Sequence, residues 1–234
     1  MTPRDRPLLA VALNGSREHA RVPRTPAELA AAARACVEAG ARVVHLHPFD
    51  GGRETLRAEP CAAALAAVRA ACPGVALSLS TSAAIEADPA RRLELVAGWT
   101  ALPELVTANQ GEPGIVELCE HLLARGVGIE AGLLALADAE ALVRSGLAPR
   151  CVRVLVEPLD ADPLEAVAHA AAMEQVLPRT LSSPATPPPP PTAAGARATP
   201  PAGRPPPPPP PRACRSPGWC CRSRKRAGRS PTRS

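Results

Sequence analysis

Aromatic side chains are scarce in this chain: no tyrosine, one phenylalanine and two tryptophans among 234 residues. A surface that reads single-stranded nucleic acid needs rings on which bases can stack. The formal net charge of +5 is therefore weak support for a nucleic-acid partner. Lysine is rarer still, since Lys225 is the single one, and this rules out a Schiff-base lysine in the first three quarters of the chain. No stretch approaches the roughly 20 apolar residues that span a bilayer. The opening MTPRDRPLLAVALNG holds only a short apolar run and reads as a first strand rather than a signal peptide. The expectation is a cytoplasmic protein without a membrane partner. Eight cysteines occur with no CxxC pair, the pattern of reduced, small apolar residues rather than of a disulfide framework.

Acidic residues are absent after Glu174, and that absence divides the chain in two. All 22 acidic residues and 16 basic ones precede residue 179, whereas the last 56 residues carry 11 basic residues and 17 of the 31 prolines. From Leu181 onward there is one leucine and no Val, Ile, Met, Phe or Tyr, so this part has nothing with which to build a core. Seven consecutive prolines there impose polyproline II. The expected organisation is a folded part over 1–178 and a disordered Pro/Arg-rich tail over 179–234. Arginine without lysine in the first part, beside abundant Ala, Leu, Val and Gly, indicates a GC-rich gene. Out of frame, such a gene yields mainly Pro, Arg, Ala, Gly, Ser, Cys and Trp, so a frameshift near codon 180 is the expected origin of the tail, with a natural disordered Pro/Arg-rich tail as the alternative.

Residues 8–178 alternate two periodicities. Short β-rich runs lie at Leu8–Asn14, Arg42–Pro48, Val75–Ser82, Glu104–Gln110, Val127–Gly132 and Cys151–Pro158. Helical segments follow each, the clearest being TPAELAAAARACVEAGA, with Thr25 as N-cap, Pro26 at the first position, Glu28 three residues into the helix and Gly40 as the stop. The others run near 59–71, 89–97, 113–124, 138–145 and 163–176. Six β-then-α units without a hairpin signal predict a parallel sheet with helical crossovers. Polar residues gather at the strand C-termini (Asn14, His45, His47, Ser80, Thr81, Asn109, Glu130 and Glu157), the rim on which a (β/α)8 barrel places its chemistry. A doubly wound sheet is the alternative, but LNGSRE after the first strand is not a GxGxxG phosphate loop. The predicted fold is an α/β TIM-type barrel with about six of its eight units present. The 56 residues that follow match the length of two more units and lack their composition.

The stretch ARVVHLHPFDGG, Ala41 to Gly52, puts two of the five histidines one residue apart. Successive strand side chains alternate faces, so His45 and His47 share one. Imidazole suits zinc, and a catalytic zinc takes three protein ligands plus an open position. Histidines that only hydrogen-bond are the competing reading. Pro48 and Gly51–Gly52 are expected to stop the strand and open a loop. His19 and His121, in a loop and on a helix, are expected to face solvent.

The run AVALNGSREHARVPRTPAELAAAARACVEAGARVVHLHPFDGGRETL resembles the N-terminal signature of the β-keto acid cleavage enzymes, typified by the 3-keto-5-aminohexanoate cleavage enzyme of lysine degradation. The likeness continues through ALSLSTSAAI, PELVTANQGEPG, LLARGVGIEAGL and RVLVEP, covering residues 8–178 in the family's order. It implies a TIM barrel with one zinc ion and a C-acyltransferase reaction, in which a β-keto acid and acetyl-CoA yield acetoacetate and a new acyl-CoA. By the same resemblance His45 and His47 match the zinc ligands, and Ser80 and Thr81 the pair that holds the substrate's polar end. Asn14 joins them as a substrate contact, and Asn109 and Glu130 match polar catalytic positions. A homo-oligomer is implied for the complete barrel.

Two departures stand out. Phe49 occupies a position where the family commonly has an arginine, whose planar fork would bind a carboxylate. The family's third zinc ligand, a glutamate in a late R-x-G-x-E-D motif, has no counterpart after Glu174. The expectation is a chain impaired or inactive as written. A second expectation, from a different class, is a non-catalytic interaction protein that uses its polyproline and basic tail. Deleting 181–234 separates the two, because only the second loses its function.

Overall fold

The computed structural model describes residues 7–160 and 162–177. The predicted tail, 179–234, lies outside the described residues. Within them a single parallel sheet runs in sequence order, with neighbours β1 (Ala10–Ala12), β2 (Val43–Leu46), β5 (Ala76–Ser80), β6 (Leu105–Asn109), β7 (Gly128–Leu133) and β8 (Arg153–Val156). Between them run α1 (Pro26–Glu38), α2 (Ala58–Ala71), α3 (Pro89–Ala97), α4 (Ile115–Ala124) and α5 (Leu136–Ser145), and α6 (Pro163–Val176) follows β8. A short antiparallel hairpin, β3 (Phe49–Asp50) and β4 (Arg53–Glu54), is inserted after β2. Six parallel strands with six helices form a curled half-barrel, the partial TIM barrel that the alternation predicts.

Register explains the curl's two faces. Leu46, Leu79 and Val106 stand in line with Ile129, while Ala108, Ala131 and Val154 form the next row. All but Val154, which packs against it, belong to the fully buried core, together with Leu29, Leu65, Val68, Leu118, Leu122 and Leu142 of the helices. The opposite face is polar: Ser80 pairs with Thr107, Thr107 with Glu130 and Glu130 with Arg153. The strands are thus not apolar on both faces. Their outer residues make the core with the helices, and their inner residues make a hydrophilic lining.

Helix starts follow local chemistry. Thr25 and Glu28 form the predicted capping box, with the Thr25 hydroxyl accepting from Glu28 N–H and the Glu28 carboxylate accepting from Thr25 N–H. Thr25→Ala removes one of these partners and is expected to cost about 1 kcal/mol, read as a lower midpoint in urea unfolding. The fourth helix begins at Ile115 rather than 113, because Gly114 adopts φ +70° as its N-cap. A side chain at 114 would also collide with Pro89, whose Cβ lies 2.6 Å from the position of an added Cβ. The fifth begins at Leu136 rather than 138, since Asp138 reaches back to accept from Leu134 and Ala135 N–H.

Two expectations are corrected. Residues 49–54 do not open a loop: Gly51 and Gly52, at φ +56° and +83°, make the left-handed turn that a tight hairpin needs, and β3 and β4 pair across it. His121 does not simply face solvent, because its Nε2 is buried and, among the described residues, without a hydrogen-bond partner. His19 is exposed as expected.

Candidate active site

The polar lining opens into a cavity of about 360 Å³ between the two free edges of the sheet. Ala10, Val11 and Ala12 of β1 bound one side, Arg153, Leu155 and Glu157 the other, with His45, His47, Thr107 and Glu130 between them. The two imidazoles lie side by side, ring centroids 5.1 Å apart and nearly perpendicular.

Each ring's Nδ1 is engaged. His45 Nδ1 lies 3.1 Å from Ser78 Oγ and 3.3 Å from Thr107 Oγ1. The Thr107 hydroxyl gives its hydrogen to Glu130 Oε2 at 2.9 Å. Thr107 therefore has only a lone pair to offer His45 Nδ1, while the nearer Ser78 hydroxyl can either donate to that nitrogen or accept from it. His47 Nδ1 lies 2.9 Å from Glu54 Oε2, and a carboxylate can only accept, so there Nδ1 carries the hydrogen. With Nδ1 engaged, Nε2 is the nitrogen left to each ring for a metal, the atom through which a histidine binds when its other nitrogen is held by a second group. Burial, helped by His47 and Arg153, pushes His45 down to about 3, so at neutral pH this ring is uncharged, as ligation requires.

The carboxylates differ in state. Glu130 is almost fully buried and accepts from Arg153 Nε as well as from Thr107. Glu157 lies at the mouth, and burial together with the charge of Glu130 holds its carboxyl above the ordinary range. This donor set of two imidazoles fits a divalent transition metal. Among the described residues no group of three or more His, Cys, Asp or Glu side chains converges closely enough to hold one.

The other residues expected at the site are placed as follows. Asn14 spends its side chain on the main chain of His47, accepting from its N–H and donating to its carbonyl, both at 2.8 Å, and donates also to Pro23 at 3.0 Å. The Thr81 hydroxyl donates to the Thr107 carbonyl at 2.8 Å. Ser80 is buried and accepts weakly from Ser82 N–H at 3.4 Å. Asn109 donates to Glu112 at 2.9 Å. These four do not line the cavity, whereas His45, His47 and Glu130 do. Phe49 lies under Arg24, whose guanidinium carbon is 5.2 Å from the ring centroid. Ser78, Thr107, Glu54 and Arg153 complete the network and were not among the expected site residues.

A half-barrel of parallel strands whose inner face carries a histidine pair and a buried carboxylate defines the class: a partial TIM barrel with a polar cavity on its inner face. Residues 7–178 match the family model of the beta-keto acid cleavage enzymes, and the chain belongs to that family. Among solved structures it resembles a mandelate racemase/muconate lactonizing enzyme from Roseiflexus sp. (19% identity, 71% of this chain and 46% of that one, TM-score 0.39). It also resembles a mandelate racemase/muconate lactonizing protein from Herpetosiphon aurantiacus (18%, 71% and 44%, TM-score 0.39). A third is an isomerase from Streptomyces coelicolor (19%, 76% and 53%, TM-score 0.36). The chain spans about half the length of these structures. Among the described residues no helix is long and apolar enough to cross a membrane.

Proposed function

We propose that this chain carries the N-terminal three quarters of a zinc-dependent β-keto acid cleavage barrel, with acetyl-CoA as the second substrate and acetoacetate as a product. The observation that carries the reading is the pair of neighbouring imidazoles, each with Nδ1 held by a hydrogen-bond partner, in a cavity lined by Glu130 and Arg153. Zinc bound to His45 and His47 supplies a Lewis acid for a substrate keto oxygen. The protein's own contribution is orientation. Ser78 and Thr107 hold the His45 ring, Glu130 takes the Thr107 hydrogen, and Arg153 balances the Glu130 charge beside the place where an anionic β-keto acid enters. Glu157, whose carboxyl burial and the charge of Glu130 hold above the ordinary range, stands at the mouth as a candidate to exchange a proton with bound substrate.

Two imidazoles are one ligand short of a catalytic zinc site, so the chain as written is expected to hold zinc weakly and to turn over near background. The test is metal content by mass spectrometry, together with acetoacetate formation from a β-keto acid and acetyl-CoA, on the soluble full chain. Weak zinc or cobalt binding that disappears in His45→Ala and in His47→Ala is the expected result. Metal binding indifferent to both substitutions would remove the basis of the reading. Stoichiometric zinc with robust turnover would show that the chain is not impaired.

A further inference from the structure

The hairpin β3–β4 is small, yet it is fastened on every side. Phe49 pairs with Glu54 and Asp50 with Arg53 across the two-glycine turn. Thr55 N–H donates to the Pro48 carbonyl at 2.9 Å. The buried Trp99, beyond α3, donates its indole N–H to the Leu56 carbonyl at 2.7 Å, and Arg57 closes an ion pair with Asp50. The outcome of this construction is that the chain returns against its own strand end and sets the Glu54 carboxylate on His47 Nδ1. The two side chains are only 18% and 13% exposed. The second oxygen, Glu54 Oε1, is buried and has no hydrogen-bond partner among the described residues. Desolvating a carboxylate oxygen without a donor is unfavourable by an amount comparable to a lost hydrogen bond or more. A hairpin serving only to reverse the chain has no use for a charge in that place.

We propose that Glu54 is a positioning residue: the hairpin exists to hold the His47 ring as its Nδ1–H form, with Nε2 turned out as a ligand. The part concerning the metal rests on the reading of His45 and His47 given above; the tautomer does not. The two rings are held by different parts of the fold. His45 is oriented by hydroxyls of the neighbouring strands, Ser78 and Thr107. His47 lies one residue past the end of β2, beyond the reach of strand partners on its ring. Its main chain is pinned by Asn14, which leaves the ring free to turn, and Glu54 alone among the described residues engages its Nδ1. A carboxylate behind a ligating imidazole fixes tautomer and direction and raises the basicity of the ligating nitrogen. Removal of such a partner typically weakens metal affinity 10–100-fold.

The experiment uses the full chain, metal-free at pH 8, labelled with ¹⁵N-histidine, with the His47 signals identified by their loss in His47→Gln. Long-range proton–nitrogen spectra report which ring nitrogen carries the hydrogen. In the wild type, His47 is expected to be protonated at Nδ1. In Glu54→Leu the preference is expected to vanish, and affinity for cobalt(II) to fall about 10–100-fold, with Glu54→Gln, whose amide oxygen can still accept, losing less. A wild-type His47 protonated at Nε2 overturns the proposal, and this measurement needs no variant to fold. An unchanged tautomer and cobalt affinity in Glu54→Leu overturn it as well. A tautomer locked in the wild type and released in Glu54→Leu, without cobalt binding in either, supports the positioning role and counts against the metal reading alone.

Discussion

Taking the metal-free protein from pH 7 to pH 4.5 is expected to lower its unfolding free energy by about 2–3 kcal/mol through His45 alone. The ring is held at about 3 in the folded chain, first by burial and then by the charges of His47 and Arg153, against 6.5 for a free imidazole. Above 6.5 neither state takes a proton there, and the stability is complete. As the pH falls below 6.5 the unfolded chain binds a proton that the folded chain refuses, and stability falls by about 1.4 kcal/mol per pH unit. The decline ends near the folded value, at a total of about 4–5 kcal/mol. Glu157 works in the opposite sense. Its carboxyl is raised in the folded state, so acidification relieves a penalty there and offsets part of the loss. Urea unfolding at pH 7, 6, 5 and 4.5 in the presence of a chelator measures the slope. His45→Gln, which keeps a hydrogen-bonding side chain beside Ser78 and Thr107 but does not titrate, is expected to show a flatter one. Equal slopes in the two proteins would mean that His45 is not held neutral.

The fold was legible in the sequence because each unit declares itself locally. Alternation of β-rich and Ala/Leu-rich segments needs no long-range information, and Thr25-Pro26-x-Glu28 marks a helix start by chemistry that acts over four residues. The third and sixth helices begin and end where their spacing predicts, at Pro89–Ala97 and Pro163–Val176. His45 and His47 were legible for the same reason, since strand alternation alone puts them on one side.

What was not legible depends on register between strands distant in sequence. Thr107 matters because it stands beside Glu130 in one direction and within reach of His45 in the other. Nothing within TANQ indicates either neighbour. A search for polar residues at strand C-termini favoured Asn109 and passed over Thr107, two residues earlier on the same inner face. Arg153 escaped because it begins its strand, and only the register of β8 against β7 places it directly beside Glu130. Glu54 was masked by scale. Strands of two residues are too short to show alternation, so Asp50-Gly51-Gly52 read as an exit from structure when it is a turn within it. Asn14 and Thr81 do stand at strand ends, but their side chains are used by main-chain groups of adjacent segments. A polar residue at a barrel's rim is thus as often a fastening as a ligand.

Arg153→Ala is expected to destabilise the protein by about 3 kcal/mol, the lower end of the range for breaking a buried ion pair. Glu130 has only 5% of its side chain exposed, against 24% for Arg153, so the guanidinium can be reached by water but the carboxylate cannot. Without Arg153 the carboxylate keeps a single donor, the Thr107 hydroxyl, and an uncompensated charge in a nearly dry place. Removing the charge as well reverses most of the loss, because a neutral amide needs no counter-ion. Arg153→Ala combined with Glu130→Gln is therefore expected to be much closer to the wild type than Arg153→Ala alone. Urea unfolding at pH 7 of the wild type, both single variants and the double variant closes the cycle, and the pair should show a coupling well above 1 kcal/mol. Additive effects would mean that Glu130 finds its compensation elsewhere. The same cycle bears on the cavity's chemistry, because Glu130 takes the hydrogen of Thr107 and so decides which face of that hydroxyl meets His45.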